Sequence, residues 1–312
     1  MLLGILFFFV LAVNRGWIGP VARVSLGALA SALVFSAGLF LRRRFGPVYS
    51  AYAAVGVGIA GGYVTLLAAK LRYDLVSDWT ALLIAAGIAG IALGAALAWP
   101  SELVAGFGLV GATVAPACIG LENGQLTAAG TAFAAIMFAV AAAVALRRNW
   151  QLLLAAGVAA SIPQAAVMVG QAHAAEWGVV AVAAVFWLLY LVSALGLQRG
   201  LRTPNLAAFP TGLVLVSASF AGTSSVVLFD GNAEGWALLC IAAVYGAIAA
   251  ALFPRAASRD LSALLATVAL ALLAFGAADL LSGPMLAIAW SAEAAALSWL
   301  AQRVREIRYQ LA

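Results

Sequence analysis

Apolar runs of about 20 residues, separated by short polar breaks, cover almost the whole chain. A helix of about 20 residues crosses the ~30 Å hydrocarbon core of a bilayer, so each run predicts one transmembrane helix. The eleven spans predicted in this way are residues 21–41, 48–69, 80–99, 103–121, 126–146, 150–171, 178–197, 206–229, 235–253, 261–281 and 284–302.

One further apolar run, residues 2–13, is shorter than a full span. It lacks the basic start and the small-residue cleavage site of a secretory signal, so we interpret it as a short, retained first helix. The fold class predicted is an all-α, polytopic bundle of about twelve transmembrane helices. No break between spans is long enough for an extramembrane domain, so residues 1–312 are predicted to form a single transmembrane domain.

The positions of the cations predict the orientation of the helices. Twelve of the 16 Lys and Arg residues fall in alternate breaks, and arginine-rich loops stay in the cytoplasm. The C-terminus is therefore predicted to be cytoplasmic, and so is the N-terminus if residues 2–13 span. These twelve residues are Arg42, Arg43, Arg44, Arg147, Arg148, Arg199, Arg202, Arg255, Arg259, Arg303, Arg305 and Arg308.

Tryptophan residues follow the same map, since their amphipathic rings settle at the head-group level. Four of them mark the predicted outer boundary, and each of these four lies at the start of a helix that runs inward. Their spacing fits a repeated two-helix hairpin of about 50 residues, but side-by-side packing of any spans gives a similar spacing, and both interpretations stay open. The four are Trp17, Trp79, Trp177 and Trp236.

Composition narrows the function classes. Only 9% of the residues are charged and 66% are apolar, which excludes a soluble globular protein. The net charge of +5 is spread over the loops as a topology signal, so no nucleic-acid surface is expected. With two cysteines, Cys118 and Cys240, and one histidine, His173, we expect neither a metal site nor a cofactor.

Several segments resemble the family of predicted bacterial membrane proteins known as domain of unknown function 2339. The most specific is the stretch from Trp17 to Arg23, an aromatic residue followed by Ile-Gly-Pro-x-Ala-Arg. The resemblance implies a many-span protein of the bacterial cytoplasmic membrane and no assigned reaction. The segments that carry it are residues 14–28, 42–44, 58–66, 111–116 and 290–294.

Three ionisable residues lie inside predicted spans, where a charge costs about 2.5 to 3.5 kcal/mol on insertion scales. Arg23 and Asp279 share a depth near the outer surface, and Glu293 lies near the midplane. We hypothesise that Arg23 pairs with Asp279, with Glu293 deeper in the same polar pocket. The alternatives are that Arg23 snorkels alone to the outer head groups, which we favour for that residue, and that Glu293 is a neutral acid that joins two helices.

Uncharged polar residues concentrate in the outer halves of outward-running helices, together with Pro116 and Pro163. Proline frees a backbone carbonyl, which persists in a membrane only where protein or water satisfies it, so an outward-facing polar cavity is one interpretation. The other is that Ser and Thr bond back to their own helices and that Gly90 and Gly94 allow close helix packing. The candidate site residues from this group are Gln164, Ser217, Ser219 and Thr223.

Asp74 and Asp78 are four residues apart in a predicted outer loop. If that loop is helical, both carboxylates project from one face and could bind a divalent cation. A solvated acidic loop is the simpler interpretation, because all the outer loops are acidic.

Three functions remain. The preferred hypothesis is a transporter-like protein that moves a small solute, an ion or a lipid-linked molecule through the polar cavity. The second is a non-enzymatic membrane scaffold with an unidentified protein partner. An intramembrane enzyme acting on a lipid-borne substrate ranks last, because no nucleophile, metal set or nucleotide site accompanies the acids and no catalytic residue is identified. Membrane lipid is the expected surrounding partner.

Overall fold

The computed structural model describes residues 18–122, 125–172, 176–201, 206–255 and 258–304. These residues form eleven long helices joined by short loops, and each helix coincides with one predicted span. The helices are α1 (Pro20–Phe45), α2 (Tyr49–Leu67), α3 (Asp78–Ala98), α4 (Glu102–Glu122), α5 (Ala128–Arg148), α6 (Gln151–Gln171), α7 (Trp177–Leu201), α8 (Ala208–Leu228), α9 (Asn232–Leu252), α10 (Arg259–Leu280) and α11 (Pro284–Val304).

The all-α, membrane-type fold class is thus confirmed. Ten of the helices, all except α11, are long and apolar enough to cross a membrane within the described residues. Helices are the natural outcome for such a sequence, because in lipid every backbone polar group needs an intramolecular partner. The predicted helix at residues 2–13 lies outside the described part of the chain.

Residues next to the loops cap the helices at their first and last turns. The Ser77 and Thr127 side chains accept hydrogen bonds from the first turns of α3 and α5. Pro20 and Pro284 open α1 and α11, where the missing N–H costs nothing. Asn149 ends α5 in the left-handed conformation. After α2, the five residues Ala68–Arg72 continue as a π-helical turn.

The chain divides into two compact units, which meet in sequence between Gln164 and Ala165 within α6. In the first unit, α1 packs on α2, α3 on α4, and α4 also contacts α2 and α5. In the second unit, α7 packs on α8 and α9 on α10, and α8 also contacts α9 and α10. The closest pairs are therefore consecutive helices. A duplicated hairpin and a single-domain organisation stay predictions.

Small residues allow the closest helix contacts of the first unit. A Cβ atom added to Gly58 would lie 2.7 Å from the backbone nitrogen of Phe35, and one added to Gly38 would lie 2.8 Å from that of Val55. Bare glycines therefore bring α1 and α2 together, as small residues do in membrane proteins generally.

The predicted packing role of Gly90 and Gly94 is wrong for the described residues. Both glycines are exposed, and no atom lies within 4 Å of a Cβ added to either. The buried face of α3 is instead the alanine row that begins at Ala81 and Ala85, and Ala92 in this row lies against Gly108 of α4.

Candidate functional site

The hydroxyl groups of α8 point to two different environments. Ser217 is fully buried, whereas Ser219 and Thr223 are exposed. Consecutive helical residues are about 100° apart, so a separation of two residues places Ser217 and Ser219 on different faces. The predicted polar residues of this helix therefore do not form one cluster.

Ser217 belongs to a closed hydrogen-bonded circuit inside the second unit. The indole N–H of Trp187 donates to the Tyr245 hydroxyl over 3.2 Å, and the Ser217 hydroxyl donates to the Trp187 carbonyl over 3.3 Å. The two hydroxyls are 2.8 Å apart, so Tyr245 donates to Ser217 and every donor has an acceptor. The rings of Trp187 and Tyr245 also pack, with centroids 6.2 Å apart. This circuit joins α7, α8 and α9.

Ser219 and Thr223 instead line a groove of about 780 Å³ between α8, α9 and α10. Asp279, from the last turn of α10, and Glu234, from the first turn of α9, line the same groove. Three of the residues selected from the sequence, Ser219, Thr223 and Asp279, are thus brought together. Glu234, which falls in an acidic break between the predicted spans 206–229 and 235–253, is a fourth polar residue of this site, and we call the four residues the polar groove.

Gly235 shapes the carboxylate end of the polar groove. A Cβ atom added to Gly235 would lie 2.9 Å from Oδ2 of Asp279, so the Asp279 carboxylate rests against bare backbone next to Glu234. Two carboxylates at one end of a groove give it a negative potential, which favours cations and hydrogen-bond donors. The remaining lining is apolar and includes Leu272 and Phe275.

The side chains of the polar groove are available for a ligand. Within the described residues no hydrogen bond or ion pair engages the side chain of Ser219, Thr223, Glu234 or Asp279. Elsewhere on α8, by contrast, the Thr211 and Ser225 hydroxyls donate to carbonyls of their own helix. Such back-bonding was the alternative interpretation of these hydroxyls, and it holds for Ser225 but not for the two groove residues.

Gln164 lies in the first unit, on α6, and bonds to α4. Its side chain is only 5% exposed. The amide nitrogen donates to the carbonyls of Thr113 and Ala160, each over 2.8 Å. The amide oxygen is buried and has no hydrogen-bond partner in the described part of the chain.

Arg23 makes hydrogen bonds to residues that lie at its own end of the first unit. Its Nε donates to the Ile18 carbonyl over 2.8 Å, and Nη1 donates to the Tyr73 hydroxyl over 3.4 Å. Both partners lie at helix ends, which agrees with a cation that reaches towards the membrane surface. Arg23 belongs to the first unit and Asp279 to the second, and their pairing stays a prediction.

Glu293 is half-buried in the middle of α11. It does not line the polar groove, and its neighbours on the helix, such as Ile288 and Trp290, are exposed. The groove that contains Asp279 therefore does not include Glu293, and a pocket shared by the two acids stays a prediction.

Asp74 and Asp78 do not form the helical pair that cation binding would require. Asp74 precedes α3 in a left-handed conformation with φ of 45°, and Asp78 is the first residue of α3. The ammonium group of Lys70 lies 2.9 Å from a carboxylate oxygen of each. Lys70 therefore fills the position between the two acids, and the local structure is an ion-pair triad at the end of the π-helical turn.

Sequence reasoning missed Tyr245 as well as Glu234. A tyrosine in the middle of a span was the available signal, because tyrosine in membrane helices prefers the interface. Tyr63 is also deep in its span, and its hydroxyl donates to the Gly108 carbonyl over 2.6 Å.

Cys118 and Cys240 are free thiols on α4 and α9. His173, the single histidine of the chain, lies outside the described residues.

Comparison with known proteins identifies the family. No curated protein and no solved structure matches the chain. The model of the predicted membrane protein family DUF2339 matches residues 1–312, the whole of the chain. The sequence therefore belongs to the DUF2339 family of multi-spanning membrane proteins.

Proposed function

We propose that the protein is transporter-like and that it carries an amphiphilic, lipid-linked molecule whose head group binds in the polar groove. The observation that carries the proposal is the grouping of Asp279, Glu234, Ser219 and Thr223 in one groove of about 780 Å³. Grooves of this size accommodate small organic molecules. Two carboxylates favour an amine-bearing or hydroxyl-rich head group.

The arrangement of polar and apolar walls favours an amphiphile over a free ion. Asp279 is one residue from the end of α10, while Thr223 and Ser219 are five and nine residues from the end of α8. At 1.5 Å per residue these hydroxyls lie roughly 8 Å and 14 Å along the helix from its end. The walls alongside them are apolar, including Leu215 and Val268, so a ligand with a polar head and an apolar chain matches the groove.

The orientation proposed is that of the cation pattern, in the bacterial cytoplasmic membrane with the arginine-rich ends inside. Contacts at one end of the first unit support it. The Arg42 guanidinium lies 5.1 Å from the ring centroid of Tyr52 and 5.5 Å from that of Trp99, so a predicted cytoplasmic arginine and the tryptophan that ends α3 share one level. The carboxylate end of the polar groove then faces outward.

The test compares the wild-type protein with the double variant Asp279→Asn, Glu234→Gln. Both substitutions keep side-chain size and remove charge. The control is Asp230→Asn, because Asp230 is exposed in the loop just before α9 and does not line the groove. Each protein is purified in mild detergent and its bound lipids are quantified by mass spectrometry. It is then reconstituted into vesicles that contain a fluorescent lipid with a primary amine in its head group, and movement of that lipid between leaflets is followed by quenching.

A charged hydrogen bond contributes about 1.5 to 3 kcal/mol, so the double variant should bind and move the amphiphile at least about tenfold less well than the wild type. The Asp230→Asn control should match the wild type. Equal lipid content and equal movement in all three proteins would contradict the proposal. Binding that depends on the two acids, without any movement between leaflets, would refute transport and favour the scaffold hypothesis.

A further inference from the structure

The buried amide oxygen of Gln164 is the strongest sign of a second ligand, in a different unit from the polar groove. Both N–H groups of the amide are used, one by the Thr113 carbonyl and one by the Ala160 carbonyl. Rotating the amide by 180° would place its oxygen against two carbonyl oxygens, so the hydrogen bonds fix the orientation. An unsatisfied buried acceptor costs more than an ordinary hydrogen bond gains, so this oxygen calls for a donor.

Two prolines free further acceptors, each one residue away in sequence from a carbonyl that this amide binds. Pro116 lies within α4 and Pro163 within α6. Neither has an N–H group, so the carbonyls four residues earlier, those of Ala112 and Ala159, lose their α-helical donors. Ala112 precedes Thr113 and Ala159 precedes Ala160, so each carbonyl that Gln164 binds follows in sequence one that a proline frees.

The chemistry of the surrounding groups selects a neutral donor. The Thr113 hydroxyl is fully buried and already donates to the Leu109 carbonyl. Among the described acidic side chains of the first unit, Asp74, Asp78 and Glu102 lie at helix ends. A cation at this crossing would thus meet only neutral oxygens, at a high desolvation cost. A small neutral molecule with two hydrogens to donate meets the requirement.

We infer that a buried water molecule binds at the crossing of α4 and α6, donating one hydrogen to the Gln164 amide oxygen and the other to a carbonyl freed by Pro116 or Pro163. Buried waters occupy such polar positions and usually make about three hydrogen bonds. In a membrane helix, water is also a recognised partner for carbonyls freed by proline. The inference does not depend on the polar groove.

Radiolytic labelling with ¹⁸O water tests the inference, because hydroxyl radicals formed from a bound water oxidise the side chains beside it. The probe is Pro116, because it is buried, whereas the exposed Pro163 can be oxidised without a bound water. Phe138 is the internal control, since it belongs to the same unit, is fully buried and carries a more reactive side chain. The full-length protein in detergent should incorporate label at Pro116 and none at Phe138.

The variant Gln164→Met removes the amide while keeping the side-chain volume, and labelling of Pro116 should fall to the level of Phe138. The matched control is Gln198→Met, since Gln198 is also buried but its amide oxygen accepts from the Ala207 N–H over 3.2 Å. That variant should keep the wild-type labelling. Absent labelling in the wild type, or labelling that persists in Gln164→Met, would overturn the inference.

A second measurement needs no variant and so does not depend on Gln164→Met folding. A high-resolution map of the wild-type protein should show a density peak at hydrogen-bond distance from the Gln164 amide oxygen. The peak should be unchanged when potassium in the buffer is replaced by rubidium. A peak that grows with rubidium would identify a cation, and no peak at all would show that the oxygen is left without a ligand; either result overturns the buried water.

Discussion

Removal of the Tyr245 hydroxyl tests the closed circuit that joins α7, α8 and α9. In Tyr245→Phe two hydrogen bonds are lost, and the indole N–H of Trp187 is left without its acceptor. In Ser217→Ala two are also lost, and the Tyr245 hydroxyl is left without its acceptor. The two variants damage the same circuit at different points, so their effects on the free energy of unfolding should not add.

The magnitude follows from the number of bonds lost. Hydrogen bonds between membrane helices contribute about 0.6 kcal/mol on average, with a maximum near 1.7. Two lost bonds and one buried donor without a partner should therefore cost about 1 to 2 kcal/mol in each single variant. In the double variant Ser217→Ala removes only its remaining bond to the Trp187 carbonyl. We expect a coupling free energy of about 1 kcal/mol.

The assay is reversible unfolding in mixed micelles of the wild type, both single variants and the double variant. Ser225→Ala is the control, because Ser225 is buried on the same helix but bonds only within it, to the Ala221 carbonyl. Ser225→Ala should lower the free energy of unfolding by much less than Ser217→Ala does. Additivity of the two single effects to within about 0.5 kcal/mol would refute the circuit.

Two further predictions concern packing and capping, and both are read from thermal unfolding in one detergent. Gly58→Ala should destabilise the protein by about 1 to 3 kcal/mol, because the new methyl group would meet the Phe35 backbone. Gly90→Ala, in open space, should stabilise it by about 0.5 to 1 kcal/mol; shifts of the same sign would contradict the packing described. The Glu102 carboxylate accepts from the Leu153 N–H in the first turn of α6, so Glu102→Leu should cost about 0.5 to 2 kcal/mol. Glu102→Gln keeps an acceptor and should cost less, and equal costs would argue against the cap.

The positions of the helices could be predicted from the sequence because a bilayer imposes their length. The span predicted at residues 235–253 is the helix Asn232–Leu252, and that predicted at 150–171 is Gln151–Gln171. The depth of a residue in the membrane could also be predicted, because each helical residue advances the chain by about 1.5 Å. Asp279 and Glu234 accordingly lie at the same end of the α9–α10 pair.

The direction in which a side chain points could not be predicted, because a membrane helix is apolar on the lipid side and the protein side alike. Gly90 and Gly58 occupy equally apolar runs, yet only Gly58 contacts a neighbouring helix closely. Spacing alone would put Asp74 and Asp78 on one face only if their loop were helical, and a solvated acidic loop was the simpler interpretation. The left-handed conformation of Asp74 breaks that spacing, and the ammonium group of Lys70 then binds both acids.

Ser217 and Ser219 lie on the same helix in contrasting environments, and this contrast favours a ligand in the polar groove. Ser217 lies in an interior where each donor has an acceptor, so its role is accounted for by packing and stability. Ser219 has an open groove beside it and Thr223 one turn away, and a hydroxyl in lipid normally bonds back to its own helix as Ser225 does. Hydroxyls left available along a groove, roughly 8 Å and 14 Å from the helix end near which two carboxylates lie, match a ligand that has hydrogen-bond donors at one end and hydrocarbon at the other.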